Sequence, residues 1–168
     1  SDLWLKAHHP AEFMAATMTS EMRKADRIIQ LIDECKMLGL EIRPPSIDQP
    51  RSEFGVTGEH AILFGMGAVK GVGASAIRSI MASREELGRS FTDLFDLCEH
   101  IDLGKVNRKV LESLIHAGAL DGLPGDRATL IANLEGALAY GQRAARDREA
   151  GQASLFGGGE EAVALKPT

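Results

Sequence analysis

Phe64-Gly65-Met66-Gly67-Ala68-Val69-Lys70-Gly71-Val72-Gly73-Ala74-Ser75-Ala76-Ile77 is the stretch on which the fold turns. Gly71-Val72-Gly73 separates a short helical turn from a longer helix. The flanking glycines permit backbone geometry that a Cβ would obstruct. The valine between them can point into a pair of helices. Amide groups at the start of the second helix are then free for an anion, which the helix dipole favours.

That pattern is a helix-hairpin-helix element, which holds duplex DNA by its backbone and reads no sequence. From Gly65 to Arg89 the basic residues are Lys70, Arg78, Arg84 and Arg89, against Glu85 and Glu86, while the whole chain carries a net charge of −5. A tight turn between packed helices accounts for the glycines equally simply. A dinucleotide-binding reading fails, because Gly65-Met66-Gly67 is followed by Val69-Lys70 and no βαβ scaffold surrounds it.

Upstream, Pro10 suits a helix start, and Phe13, Met14 and Met18 supply part of an apolar face. Ser20 is expected to cap a helix from Glu21 to Leu38, whose apolar positions Ile28, Ile29, Leu31, Ile32, Cys35 and Leu38 follow the helical period. Gly39 stops it. Leu40 to Pro45 is extended, because tandem prolines exclude helix. Two short strands around Glu53–Val56 and Ala61–Phe64, joined by Thr57-Gly58-Glu59-His60, form an antiparallel hairpin. Downstream helices are expected at Ala74–Ser83, Phe91–Cys98, Val106–His116 and Arg127 to about Arg148. Residues 150–168, with Gly157-Gly158-Gly159, read as a flexible tail. The fold class is mainly α, with helix-hairpin-helix elements and one short β-hairpin.

A second hairpin is formed by Ile101-Asp102-Leu103-Gly104-Lys105 and the helix after it. Lys105, Arg108 and Lys109 cluster at that helix start, where the dipole disfavours cations. They answer either to a phosphate or to the nearby carboxylates Asp93, Asp96, Glu99 and Asp102.

In the tail, Gln152-Ala153-Ser154-Leu155-Phe156 places two large apolar residues in a polar, glycine-rich setting. Leu155 and Phe156 can enter a partner's apolar pocket while Gln152 hydrogen-bonds at its rim. The alternative is that they fold back on the helix before them.

With 168 residues, 44% hydrophobic and 26% charged, the chain suffices for one ordinary domain or two small ones. A pI near 5.5 argues against a generic DNA-coating protein, and 5% aromatics leave little for base stacking. No apolar run is long enough to span a membrane, and no leader pattern opens the chain. Cys35 and Cys98 are widely separated, which fits free thiols in the cytosol. The opening, without an initiator methionine, reads as a helix already under way in a longer chain.

No catalytic or metal-binding residue is expected. Asp33-Glu34 and Glu85-Glu86 are adjacent and diverge on a helix, whereas metal-assisted phosphoryl transfer needs converging carboxylates. His8, His9, His60, His100 and His116 form no ligand-spaced set with the cysteines. There is no GxSxG nucleophile motif.

Four segments, in order, carry a family resemblance. Trp4-Leu5-Lys6-Ala7-His8-His9-Pro10-Ala11-Glu12-Phe13-Met14-Ala15-Ala16 is similar to the end of the fingers region of the bacterial C-family replicative DNA polymerases, the catalytic alpha subunits. Ile62 to Gly73 resembles their glycine hairpin, Asn107 to Asp121 their next helical module, and Gln152 to Phe156 their sliding-clamp pentamer. The resemblance implies template-directed DNA synthesis by the parent enzyme, with two Mg²⁺ held by palm aspartates upstream of Ser1, and an OB-fold downstream. It implies no cofactor within this chain. It divides the chain into residues 1–50 (end of fingers), 51–150 (helix-hairpin-helix and clamp-binding domain) and 151–168 (tail with the pentamer).

The implied partners are duplex DNA, through Lys70, Gly71, Val72, Gly73, Arg78, Lys105 and Arg108, and the sliding clamp (beta subunit), through Gln152, Ser154, Leu155 and Phe156. Other replicase subunits would join through the parent protein, in the bacterial cytoplasm and with no membrane contact. The alternatives are a free-standing helix-hairpin-helix DNA-binding or repair protein, and a purely structural connector.

Overall fold

The structure, a computed structural model, describes residues 2–156. Helix α1 (Asp2–His8) buries no residue. Helix α2 (Pro10–Ser20) starts with proline in its first turn, where the missing N–H costs nothing. Its face of Ala11, Met14, Ala15 and Met18 packs against Ile28, Leu31 and Cys35 of α3 (Ala25–Met37).

Ser20 does not cap α3. Its hydroxyl donates back to the Thr17 carbonyl at 2.8 Å within α2, and residue 24 is the N-cap position, with no side-chain cap. The helix therefore begins at Ala25 rather than Glu21, because a hydroxyl already donating to its own helix leaves the next one uncapped.

The expected β-hairpin is present as β2 (Gly55–Val56) and β3 (Ala61–Leu63), paired antiparallel with Gly55 opposite Leu63. The extended segment before the prolines adds a third strand, β1 (Glu41–Arg43), parallel to β3 with Ile42 opposite Ile62. The order is β1-β3-β2, so β3 is central, and all three of its residues are buried.

After a 3₁₀ turn at Met66–Ala68 come α4 (Ala74–Leu87), α5 (Leu94–His100), α6 (Arg108–Ala117) and α7 (Arg127–Phe156). Asp93 caps α5 by accepting from the Asp96 N–H at 2.8 Å, and Asp126 accepts from the Thr129 N–H at 2.8 Å as α7 begins. Helices α4 and α6 end on Gly88 and Gly118, both in the left-handed region. Helix α7 passes the expected end near Arg148 and runs to Phe156. The remainder of the tail, 157–168, lies outside the described residues.

Two apolar clusters organise the chain. One joins α2, α3, Leu40, Phe54 and Ile62. The other joins Ile47, Met66, Val72 and the inner faces of α4 to α7. The clusters interleave around residue 50, since Ile47 belongs to the later one and Phe54 to the earlier. Burial pushes the Cys98 thiol up to about 12 and the Cys35 thiol up to about 11, so both stay protonated at neutral pH.

Candidate nucleic-acid interface

The glycine hairpin is built by short backbone bonds. The Val69 N–H donates to the Met66 carbonyl at 3.0 Å, and the Val72 N–H to the Val69 carbonyl at 3.2 Å. Gly71 follows with φ +91°, a conformation that favours glycine. A Cβ there would lie 2.7 Å from Ser113 Oγ of α6, so close approach and backbone angle demand glycine together. Val72 is buried in the larger core, as its position between two glycines implied.

Gly73 is the N-cap of α4 and supplies no side chain, so nothing from its own residue closes the helix start. The Ala74 and Ser75 amides have no hydrogen-bond partner among the described residues, and both residues are exposed. Lys70 and Arg78 are also exposed, and neither makes an ion pair among the described residues. Open amides, the positive end of α4 and two uncommitted cations thus all belong to the hairpin and the first turns of its second helix.

The second hairpin is more self-contained. Asp102 turns back on its own loop, its carboxylate accepting from the Gly104 N–H at 2.9 Å. Asn107 caps α6 by accepting from the Val110 N–H at 3.0 Å. Val106 is fully buried.

Of the two alternatives for its cations, pairing with Asp93, Asp96, Glu99 or Asp102 is not found among the described residues. Asp93 caps α5, and Asp96 takes a two-pronged bond from Arg89 at 2.8 and 3.0 Å. Glu99 accepts from the Tyr140 hydroxyl at 2.9 Å. Arg108 pairs instead with Glu112 one turn along α6, at 3.0 Å. Lys105 and Lys109 have no ion pair among the described residues, so part of that positive charge faces outward.

Asp96, Glu99 and His100 come within metal-binding distance of one another, a grouping the spacing of the histidines did not suggest. Arg89 and the Thr92 N–H already occupy Asp96. The trio therefore does not fit the pair of carboxylate-held magnesium ions that a polymerase centre needs.

The Arg89 hydrogen bond, followed by the Thr92 amide and the guanidinium charge, holds the Asp96 carboxyl well below the usual carboxylate range. A depressed folded-state pKa stabilises the fold above the unfolded carboxylate pKa of about 4, and that contribution fades as pH falls through the folded value. Arg89→Gln should therefore lower thermal stability most at neutral pH, with the gap from the unsubstituted chain closing in acid. A gap independent of pH would show that the ion pair is not its source.

The pentamer lies at the end of α7. Among the described residues, the last hydrogen bond from α7 to the body is that of Arg148, whose guanidinium donates to the Glu99 carbonyl at 2.9 Å. Beyond it Gln152 and Ala153 are exposed, and Leu155 is 75% exposed. Leu155 continues the same helix, so it does not fold back on α7. The fold-back alternative is set aside for this residue.

Two connected helical hairpins around one core, the first with a glycine turn and an uncapped helix start, define a helix-hairpin-helix chain. The family model described as "Helix-hairpin-helix motif" matches residues 39–130, more than half of the chain, and the chain belongs to that family.

It is 50% identical over 155 residues to the DNA polymerase III subunit alpha of Pasteurella multocida (strain Pm70), covering 92% of this chain and 13% of that protein. It is 46% identical over 155 residues to the DNA polymerase III subunit alpha of Escherichia coli (strain K12), with the same coverage of each. The subunit of Pseudomonas aeruginosa (strain PAO1) is 38% identical over 170 residues, which cover 92% of this chain and 14% of that protein. The resemblance read from the sequence to polymerase alpha subunits therefore holds along nearly the whole chain. The chain spans 13–14% of the length of these relatives. Among the described residues, no helix is long and apolar enough to cross a membrane.

Proposed function

We propose that this chain is a duplex-gripping and tethering segment of a bacterial replicative DNA polymerase alpha subunit, active in the cytoplasm. The observation that carries the grip is the open start of α4, with unpartnered Ala74 and Ser75 amides behind Gly71 and beside unpaired Lys70 and Arg78. A phosphate oxygen can accept from those amides while the two cations neutralise its neighbours. Lys105 and Arg108 extend the contact to the second hairpin, with Arg108 sharing its charge between phosphate and Glu112.

Nothing in this geometry reads a base edge, so binding is independent of sequence. The contact holds the duplex behind the primer end. Nucleotide addition, with its two magnesium ions, is assigned to no residue of this chain.

The tether is Gln152 to Phe156. Its support is the exposure of Leu155 at the end of a helix that has already left the core. The partner is the ring-shaped sliding clamp, and other replicase subunits attach through the parent protein.

The grip is tested by titrating the chain with duplex DNA at several salt concentrations. Affinity should fall steeply with salt, because each neutralised phosphate adds about 0.9 to the log–log slope. Lys70→Glu combined with Arg78→Glu should reduce that slope by roughly 1–2. No salt dependence, or no effect of the double replacement, would falsify the assignment and favour a structural connector. A free-standing DNA-binding protein would instead grip DNA equally well while ignoring the clamp.

A further inference from the structure

A second basic surface adjoins the glycine hairpin from a different part of the chain. The turn between α2 and α3 packs on the 3₁₀ turn that leads into the hairpin: the Met22 methyl lies 3.0 Å from where a Cβ on Gly67 would stand. The Gly67 N–H donates to the Ser52 carbonyl at 3.0 Å, the Met66 N–H to the Arg51 carbonyl at 3.0 Å, and the Phe54 N–H to Thr19 Oγ1 at 3.0 Å. The end of α2, residues 51–54 and the hairpin approach are therefore tied together.

Close in sequence to these ties are Arg23, Lys24 and Arg27, in the α2–α3 turn and the first turn of α3, and Arg51, all exposed. Lys24 is committed to Glu21 at 3.0 Å, and Arg27 only to the neutral amide of Gln30 at 3.3 Å. Arg23 has no hydrogen bond or ion pair among the described residues, and Arg51 no ion pair. With Lys70 and Arg78, the tied segments 19–27, 51–54 and 65–78 carry six cations against Glu21, Asp26 and Glu53, on a chain whose net charge is −5. Cations thus outnumber anions in the segments tied to the hairpin.

We infer that the DNA-backbone footprint continues from the hairpin onto the α2–α3 turn, with Arg23 and Arg27 as further phosphate contacts. This rests on the grip proposed above and deepens it. A hairpin alone fixes a point on one strand. A second cationic anchor from a separate element fixes the direction of the duplex across the surface, because the phosphates that meet both anchors must lie along one line. Arg suits the role, since its planar guanidinium can present two N–H groups to one phosphate.

The test is salt-dependent binding of a short duplex of arbitrary sequence to four chains: unsubstituted, Arg23→Glu/Arg27→Glu, Lys70→Glu/Arg78→Glu, and the charge-matched control Arg143→Glu/Arg146→Glu on α7. Thermal melting of each chain verifies folding. The Arg23/Arg27 variant should lose roughly 1–2 from the log–log salt slope, a loss comparable to the hairpin variant's, while the control loses less. A second pair, Arg23→Gln/Arg27→Gln, should give a smaller loss in the same direction, which separates lost contact from added repulsion. An Arg23/Arg27 slope equal to the control's, with the hairpin variant impaired, overturns this inference and leaves the grip intact. If the unsubstituted chain shows no salt-dependent binding, both fall.

Discussion

Replacing Leu155 and Phe156 together with alanine is expected to remove binding to the cognate sliding clamp while leaving helix content and duplex affinity unchanged. Burying a large apolar side chain fully is worth roughly 1.5–3 kcal/mol. Losing two such contacts should weaken binding by about two to four powers of ten, at about 1.4 kcal/mol for each. Ordering the segment opposes part of the gain, so the unsubstituted pentamer itself should bind only moderately, and tight attachment would need avidity from nearby DNA or a second pocket. The body of the fold should not register the change, because Leu155 is 75% exposed and the last described tie of α7 to the core is at Arg148. Gln152→Ala should weaken binding without abolishing it, since it removes only a rim hydrogen bond. The contact is mainly apolar, so salt should affect it less than it affects DNA binding. Calorimetry of the chain against purified clamp measures all of this. Equal affinity for the unsubstituted chain and the double variant would end the tether reading.

What the sequence made legible here is what is local. Gly71-Val72-Gly73 announces its turn because the constraint lies within three residues, and Pro10 marks a helix start for the same reason; the helix expected from Phe91 instead begins at Leu94, capped by Asp93. The parallel pairing of β1 with β3 was not readable, since it joins residues 20 positions apart across three prolines and the intervening strand β2. Ser20 misled because a hydroxyl can serve its own helix or the next, and only the packing of Met14 and Met18 decides how far α2 runs.

The length of α7 was missed for a related reason. Its last turns carry glycine and small polar residues, yet a helix already propagating adds one hydrogen bond per residue without needing an apolar face. At the site, the hairpin residues were identifiable. The Glu112 partner of Arg108 could have been found from its four-residue spacing, whereas the closeness of Gly71 to Ser113, and of Met22 to Gly67, comes only from tertiary packing.

Two glycines one and a half turns apart on α7 should respond to alanine with opposite signs. Alanine exceeds glycine in helix propensity by about 0.8–1.0 kcal/mol, so either replacement gains that much if nothing obstructs the methyl. At Gly136 the nearest atom to the new Cβ is Phe95 Cζ at 3.9 Å, an ordinary contact. Gly136→Ala should therefore raise the melting temperature by about 2–4 °C, on a scale of roughly 1 kcal/mol for that shift in a chain of this size. At Gly141 the Cβ would run into the Cys98 carbonyl oxygen and lie 2.9 Å from Leu103 Cδ1. A leucine can turn aside, but a helix carbonyl cannot do so without moving the backbone of α5. Helix α7 must then lift from α5, opening the packing of Leu134 and Ala137 in the larger core. Overpacking of that kind costs about 1–3 kcal/mol, and a rigid backbone obstacle places Gly141→Ala toward the upper end, more than the propensity gain returns. The melting temperature should fall, by about 5 °C or more if the net loss reaches 2 kcal/mol. Thermal unfolding of the two single variants decides it. If both rise together, α5 and α7 do not cross as closely as this structure places them, and the Gly141 contact is not what sets their approach.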